Sequence, residues 1–365
     1  MKSAGLAMGA AWLACLTCVH ASNLKPDESV ILYPALAART RAGWEVQLHG
    51  LVFEPERHRL MTRALRRLLG IDEEEITAAE AATFNERCQY FLVDNERGKK
   101  FSILLDGMPF LLGSSAANGH FQSRLIWKPS GSALAAAATN GTLSLKVAFN
   151  ETGGRTAPLE VHFLEPTGLS VISDIDDTIK VSDVLNRKAL LKNTFCCPFQ
   201  PVTGMAEVYR AWENSFNARF HYVSAGPWQL YLPLAGFTRS NGFPAGTFHL
   251  KEFRVKDRSA LNLFESPERY KTGVIEPLLR QFPKRQFVFV GDSGEKDPEI
   301  YGALARRFPE QVRHIFIRDV TKESAQAPRY QKAFADVPAN IWQVFRDPQE
   351  IANSLQLSPH PGKTQ

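Results

Sequence analysis

Two textures of hydrophobic patterning divide the chain. From about Val30 to Pro166, apolar residues come in short runs mixed with polar ones, among them Glu45–Phe53, Phe101–Leu105, Phe121–Trp127 and Leu143–Phe149, punctuated by Gly, Asn and Pro. Runs of this length predict strands, and their close spacing predicts a smaller, β-rich, β-sandwich-like domain over residues 22–165. After Leu169 the pattern changes to fully apolar runs alternating with segments of helical period. It predicts a strand to Ser173, helices at about 203–213, 228–238, 271–281 and 298–307, and strands at 219–223, 286–290 and 313–317. Such alternation implies an α/β domain over 166–350 with a parallel sheet between helices. Glu165-Pro166-Thr167-Gly168 marks the boundary, and the Pro- and Gly-bearing end predicts a disordered tail over 351–365.

Within the first region, Pro55–Ile71 reads as an amphipathic helix. Leu60, Met61, Ala64, Leu65, Leu68 and Leu69 lie along one side, and Arg57, Arg59, Arg63, Arg66 and Arg67 lie around the other. One reading is an interfacial helix on anionic lipid; the other is a packed helix with a solvated basic face. The acidic run Asp72–Glu75 that follows favours the second, because it would repel such a surface.

The chemistry concentrates at the predicted strand ends. Val171-Ile172-Ser173 runs into Asp174-Ile175-Asp176-Asp177-Thr178, so two carboxylates sit where a parallel strand opens into the ligand crevice. Neighbouring anions in such a place invite a hard divalent cation. A strand-to-helix turn with an N-cap would use the same residue types. The second apolar strand, Phe287–Val290, tilts the balance, since it runs into Gly291-Asp292 with Asp297 beyond, and two such ends can share one metal. Between them, Tyr222-Val223 ends in Ser224, and Lys271 opens the run Val274, Ile275, Leu278, Leu279; a hydroxyl and an ammonium both suit a phosphate. Only a modest stretch, about 179–218, separates the first two motifs, which leaves no room for a large cap.

The ordered set Asp174/Asp176, Ser224, Lys271 and Asp292/Asp297 resembles the four motifs of the haloacid dehalogenase superfamily. The strings at 172–180, 224–228 and 291–301, and more weakly Asn118-Gly119-His120-Phe121, resemble the actin-patch-protein type of Mg²⁺-dependent phosphatidate phosphatase. The resemblance implies a Rossmann-like parallel sheet of the haloacid dehalogenase type. It implies Asp174 as nucleophile and Asp176 as acid and base. Ser224 and Lys271 would bind phosphate, and Mg²⁺ would be held by Asp174, the Asp176 carbonyl and Asp292, with Asp297 in support. In the lysine motif, Lys251 and Lys256 compete with Lys271 for the role. The implied substrate is a phosphorylated lipid, met by peripheral membrane contact at exposed apolar residues such as Trp228. A phosphatase for soluble or protein phosphoesters, a catalytically silent phosphate- or lipid-binding module and an exported interaction protein are the competing readings.

Residues 1–21 combine Lys2 with an apolar stretch and Val19-His20-Ala21 before Ser22, which predicts a signal peptide and export to the periplasm or medium. Cys15 and Cys18 would leave with it, so Cys88, Cys196 and Cys197 remain, an odd number that implies no full disulfide framework. Cys88 could pair with either neighbour, or all three could stay thiols. No zinc spacing recurs along the chain. The formal charge of +5 is mild, and without a basic stripe interleaved with aromatics no nucleic-acid partner is expected. His221, His249 and His314 lie in apolar surroundings and read as structural.

Overall fold

The computed structural model describes residues 23–55, 59–131, 133–135, 141–149, 154–252 and 267–355. The expected signal peptide at 1–21, Lys256 and residues 356–365 lie outside the described residues.

The second region is built on a six-stranded sheet ordered Gly246–Lys251, Arg219–Pro227, Leu169–Ser173, Gln286–Asp292, Val312–Arg318 and Trp342–Phe345, with every neighbouring pair parallel. Its strands read as continuous apolar runs because both faces are covered. Val171, Val288, Val290 and Phe316 point into one core with Tyr209 and Trp212 of the helix Met205–Phe216. Ile172, Phe287, Phe289, Ile315 and Ile317 point into the other with Ile275 and Leu278 of the helix Pro267–Gln281 and Tyr301 of the helix Asp297–Arg307. Successive residues therefore serve opposite cores, and each fully buried Ile, Val or Phe contributes about 1.5–3 kcal/mol.

The order of the strands places the site. From the central strand Leu169–Ser173 the chain builds outward on one side, then crosses to build the other side. Ligands bind at such a reversal, outside the carboxyl ends of the strands. The two strands the pattern did not predict, Gly246–Lys251 and Trp342–Phe345, are the edges of this sheet, where one flank is open and the apolar signal weakens. Between the first two motifs stand the two-residue pair Lys180–Val181 with Gln200–Pro201, the helix Arg187–Phe195 and the helix Met205–Phe216, which packs on the sheet, in keeping with the lack of room for a large cap.

The first region holds one seven-stranded sheet and a two-stranded hairpin, Ser102–Leu105 with Met108–Leu111. The long strand Gly43–Glu54 pairs with Ser29–Leu32 and Ala35–Thr40 on one side and His120–Trp127 and Asp94–Asn95 on the other. Trp44, Val46, Leu48 and Val52 face a core closed by Phe101, Ile103 and Leu105 of the hairpin. The opposite face turns toward the parallel sheet: Leu51 and Phe53 share a core with Val171 and Leu230, and Leu36 and Ala38 share one with Ile275. The two regions are thus joined by packing across the boundary at Pro166.

Three expectations change here. Trp228, expected as an exposed lipid contact, is 6% exposed, its ring stacked on Tyr33 at 4.1 Å. Ile351 and Leu355, placed in the expected tail, are buried in the main core, Ile351 on the short helix Gln349–Ala352, so the packed chain runs to Leu355 because these two apolar side chains find partners. The basic helix, Arg59–Leu68, buries Leu65 but leaves Leu60 80% and Leu68 63% exposed beside Arg63 and Arg67, so its apolar side is only half used by its own fold. Cys88, Cys196 and Cys197 are free thiols. Among the described residues, no helix is long and apolar enough to cross a membrane.

Candidate active site

Asp174 leaves the central strand with its backbone N–H still bonded to Val290 O at 2.8 Å, so the sheet itself fixes the first carboxylate. A tight turn follows, closed by Ile179 and Lys180 N–H donating to Ile175 O, each at 3.0 Å. Within it Asp177 takes φ +52°, a conformation that Asp tolerates better than most residues. Its carboxylate accepts the N–H groups of Ser182 at 2.7 Å, Asp183 at 3.0 Å and Val184 at 2.6 Å, and its carbonyl accepts from Arg318 Nη1 at 2.7 Å. The turn role that competes with chemistry in this motif therefore falls to Asp177, which frees Asp174 and Asp176 for the site.

Asp174 is 1% exposed and grips two groups: Thr178 Oγ1 donates to Oδ2 at 3.0 Å, and Lys271 Nζ lies 2.8 Å from Oδ1. Lys271, fully buried, also contacts Asp297 Oδ1 at 2.6 Å and Glu295 Oε2 at 3.0 Å. Asp297 Oδ2 in turn accepts the Asp292 N–H at 3.3 Å. Gly291 makes this approach possible, since a Cβ there would lie 2.3 Å from Asp297 Oδ2. Asp292 Oδ1 accepts Gly294 N–H at 2.5 Å and Glu295 N–H at 3.2 Å.

Asp176 occupies the adjoining position. Lys180 Nζ lies 2.7 Å from its Oδ1, Ser182 Oγ donates to Oδ1 at 2.7 Å, and Ser224 Oγ donates to Oδ2 at 3.3 Å. Ser224 is fixed by accepting the Gly226 N–H at 3.0 Å. All six residues expected from the sequence thus gather at the carboxyl ends of adjacent strands, in two linked groups: Asp174, Lys271, Asp292 and Asp297, and beside them Asp176 with Ser224. Lys271 thus reaches Asp174, while its rival Lys256 lies outside the described residues.

The electrostatics separate the two aspartates. Burial pushes Asp174 and Asp292 well above the ordinary carboxylate range, and each is raised further by its acidic neighbours while Lys271 opposes. Burial would likewise lower Lys271, but Asp174, Asp297 and Glu295 reverse that and hold its ammonium firmly charged. Burial works against ionisation of Asp176 too, yet Lys180 and Ser182 overcome it and keep that carboxyl below its usual value.

Asp292 Oδ2 is buried without a hydrogen-bond partner, beside carboxylate oxygens of Asp174 and Asp297 that lie within 4.8 Å of one another. An orphaned oxygen among crowded buried carboxylates fits a hard divalent cation. Sequence reasoning missed Lys180, Ser182 and Glu295. Glu295 stands inside the Gly291–Tyr301 string, yet nothing in that string tells a buried carboxylate from a loop residue. Lys180 and Ser182 become visible only once the Asp177 turn folds them back. His221 proves structural as expected, bonded to Ser170 at 3.1 Å and Thr247 at 2.7 Å.

Residues 169–319 match the family model described as the catalytic domain of phosphatidate phosphatase APP1, and this bears out the resemblance carried by the motif strings. The chain is 31% identical over 196 residues to phosphatidate phosphatase APP1 of Saccharomyces cerevisiae, an alignment covering 53% of this chain and 33% of that protein. It is 34% identical over 168 residues to an uncharacterized protein of Schizosaccharomyces pombe, covering 45% and 27%. The chain thus spans a third or less of the length of these relatives. Among solved structures, a ferredoxin–NADP⁺ reductase from Plasmodium falciparum aligns over 79% of this chain and 95% of that one at 9% identity and a TM-score of 0.19, too slight a likeness to bear on the fold.

Proposed function

We propose that this chain is a Mg²⁺-dependent phosphomonoesterase that moves the phosphoryl group of phosphatidate to Asp174 and then to water, releasing diacylglycerol and phosphate. One observation carries this reading: Asp174 meets Lys271 and a second carboxylate pair at adjacent strand ends, inside the segment similar to a phosphatidate phosphatase catalytic domain. The reading takes the sheet as Rossmann-like, of the haloacid dehalogenase type, on the strength of motif order and strand order together.

Asp174 attacks phosphorus in line, forming a carboxylate–phosphorus bond as the bond to the alcohol oxygen breaks. Lys271 favours the ionised form of Asp174 and offsets charge on the phosphoryl oxygens. Asp176 gives a proton to the departing oxygen and then takes one from the water that cleaves the phosphoaspartate, so one carboxyl serves both halves. To do so it must exchange its contacts with Lys180 and Ser182 for the leaving group, and Ser224 Oγ, already beside it, is placed to donate to a phosphoryl oxygen. Asp174, Asp292 and the Asp176 carbonyl would hold Mg²⁺, with Asp297 in support. When bound, Mg²⁺ neutralises the crowded carboxylates and the phosphoryl group.

The lipid substrate rests on the relatives and on two features of the surface. No inserted domain stands over the strand ends between the first two motifs. Leu60 and Leu68 project beside Arg63 and Arg67, a combination suited to peripheral contact with an anionic lipid surface. The reading includes export, which the apolar stretch and Val19-His20-Ala21 before Ser22 support. The test compares kcat/KM for phosphatidate in mixed micelles, at varied surface concentration, with that for soluble sugar and nucleotide monoesters. Preference for the lipid is expected; preference for the soluble esters would overturn the substrate while leaving the chemistry.

A further inference from the structure

The string Asn118-Gly119-His120-Phe121 plays no part in the carboxylate cluster. In the register of the strands His120–Trp127 and Gly43–Glu54, His49 faces Gln122 and Leu51 faces His120, so both histidines lie on the face turned toward the parallel sheet. His49 Nε2 is 3.0 Å from His120 Nδ1. Glu252, just past the edge strand Gly246–Lys251 of the parallel sheet, brings Oε1 to 3.7 Å from His49 Nε2. One donor atom from each of the three lies within 4.8 Å of the others.

We propose that His49, His120 and Glu252 bind a Zn²⁺ ion that ties the seven-stranded sheet to the edge of the parallel sheet. Two imidazole nitrogens facing each other with one proton between them are already spaced as zinc ligands are, since Zn–N bonds of about 2.0–2.1 Å at near-tetrahedral angles set nitrogens a little over 3 Å apart. A carboxylate oxygen completes a set of three, and imidazole with carboxylate is a donor combination that zinc takes. Burial holds both histidines below their usual proton affinity and so in the neutral form that ligates.

The neighbouring hydrogen bonds aim these groups. Asn118 Nδ2 donates to Glu252 Oε2 at 2.9 Å, and Gln122 Nε2 donates to Oε1 at 3.2 Å. Asn118 Oδ1 accepts the His120 N–H at 3.2 Å, so one side chain orients two ligands. Gly119 adopts φ +76°, where a Cβ would lie 2.5 Å from Val52 O, so only glycine allows the turn that delivers His120. Trp228 packs edge-on against the His49 ring with centroids 4.7 Å apart and fixes its plane. Such support around a metal ligand commonly changes affinity by about 10–100-fold when removed. A cleft of about 370 Å³, lined by His49, Gln122, Arg124 and His249 among others, gives water a path to a fourth position. This donor set of nitrogen and one oxygen differs from the all-oxygen catalytic cluster, so the two sites would sort zinc from magnesium by chemistry.

The test uses the full chain carrying Asp292→Asn, which disables the other cluster, stripped by a chelator and titrated with Zn²⁺ against a chromophoric indicator in excess Mg²⁺. One Zn²⁺ per chain is expected, with a rise in melting temperature. His49→Ala and His120→Ala should each weaken binding at least about 100-fold, and Asn118→Ala about 10-fold. Unaltered zinc uptake by the histidine variants, or no uptake by the parent, would overturn the proposal. If the alanine variants fail to fold, electron paramagnetic resonance of the Cu²⁺-loaded parent decides: coupling to two nitrogens supports the site, and coupling to none refutes it.

Discussion

Lys271 Nζ lies 2.8 Å from Asp174 Oδ1, and neither side chain is more than 1% exposed. A buried ion pair is costly to form and costlier to break, because removing one partner strands the other charge. Lys271 is therefore fixed to Asp174 by more than proximity: it shares its ammonium among Asp174, Asp297 and Glu295. Lys271→Met should destabilise the chain by about 3–5 kcal/mol as well as abolish turnover. Denaturant unfolding beside steady-state rates checks this, and lost activity with unchanged stability would show that the pair is not buried as described.

Asp174→Asn should lower kcat by at least about 10³-fold, since an amide is a poor nucleophile, while circular dichroism stays that of the parent. Asn keeps the shape of the side chain and can still meet Thr178 Oγ1. Rates near those of the parent would remove Asp174 from the reaction.

The raised Asp174 and Asp292 carboxyls make a prediction about stability and pH. A carboxyl with a folded-state value above its unfolded one binds protons more tightly when folded, so its contribution to stability is present at low pH and lost as pH rises through the folded-state value. Metal-free Asp292→Asn should therefore be more stable than the metal-free parent at pH 8, by about 1–3 kcal/mol for relief of an uncompensated buried charge. The gap should close as pH falls toward 4, and Mg²⁺ should stabilise the parent far more than the variant. Thermal unfolding across pH, with and without Mg²⁺, reads all three; a gap that widens on acidification would contradict the charge assignment.

Asp176 carries the opposite sign. Lys180 and Ser182 hold it below its usual value, so the protonated fraction needed by a general acid is small at neutral pH. Lys180→Met should raise that value and move the limb of kcat/KM that falls with rising pH to higher pH. A pH–rate profile unchanged by the substitution would mean that Lys180 does not govern the acid.

How far the site could be read in advance varied with what each residue depends on. Asp174 and Asp292 were legible because fully apolar strands run straight into them, and a parallel strand opens where ligands bind. Lys271 was legible only through its order relative to the other motifs, since the pattern started the helix at Lys271 itself while the structure begins it at Pro267. Lys180 and Ser182 were not, because their approach to Asp176 requires the positive φ of Asp177 and the three N–H bonds it accepts. Trp228 misled because a tryptophan after a strand end looks available to lipid, whereas Tyr33, in the link between the strands Ser29–Leu32 and Ala35–Thr40 and far away in sequence, covers it. The edge strands escaped notice for a physical reason as well, since a strand paired on one side carries less apolar signal than one buried on both.

Gly291→Ala should be disproportionately harmful for so small a change. Its Cβ would fall 2.3 Å from Asp297 Oδ2 and 2.7 Å from Asp297 Cβ, so the carboxylate that anchors Lys271 must move. Overpacking of this kind costs about 1–3 kcal/mol. The loss of kcat should exceed what instability explains at a temperature where the variant remains folded; full activity there would show that Asp297 has freedom to yield.

In the proposed reaction Asp174 carries the phosphoryl group during turnover. Asp176→Asn mixed with an aryl phosphate tests it most directly, because an aryl leaving group needs no proton to depart while hydrolysis of the phosphoaspartate still needs the base. Acid quenching followed by peptide mass spectrometry should find phosphate on the peptide that contains Asp174, in Mg²⁺ and not in EDTA. Phosphate on Ser224 or on any other residue, or none at all while product is still released at the rate of the parent, would contradict the account.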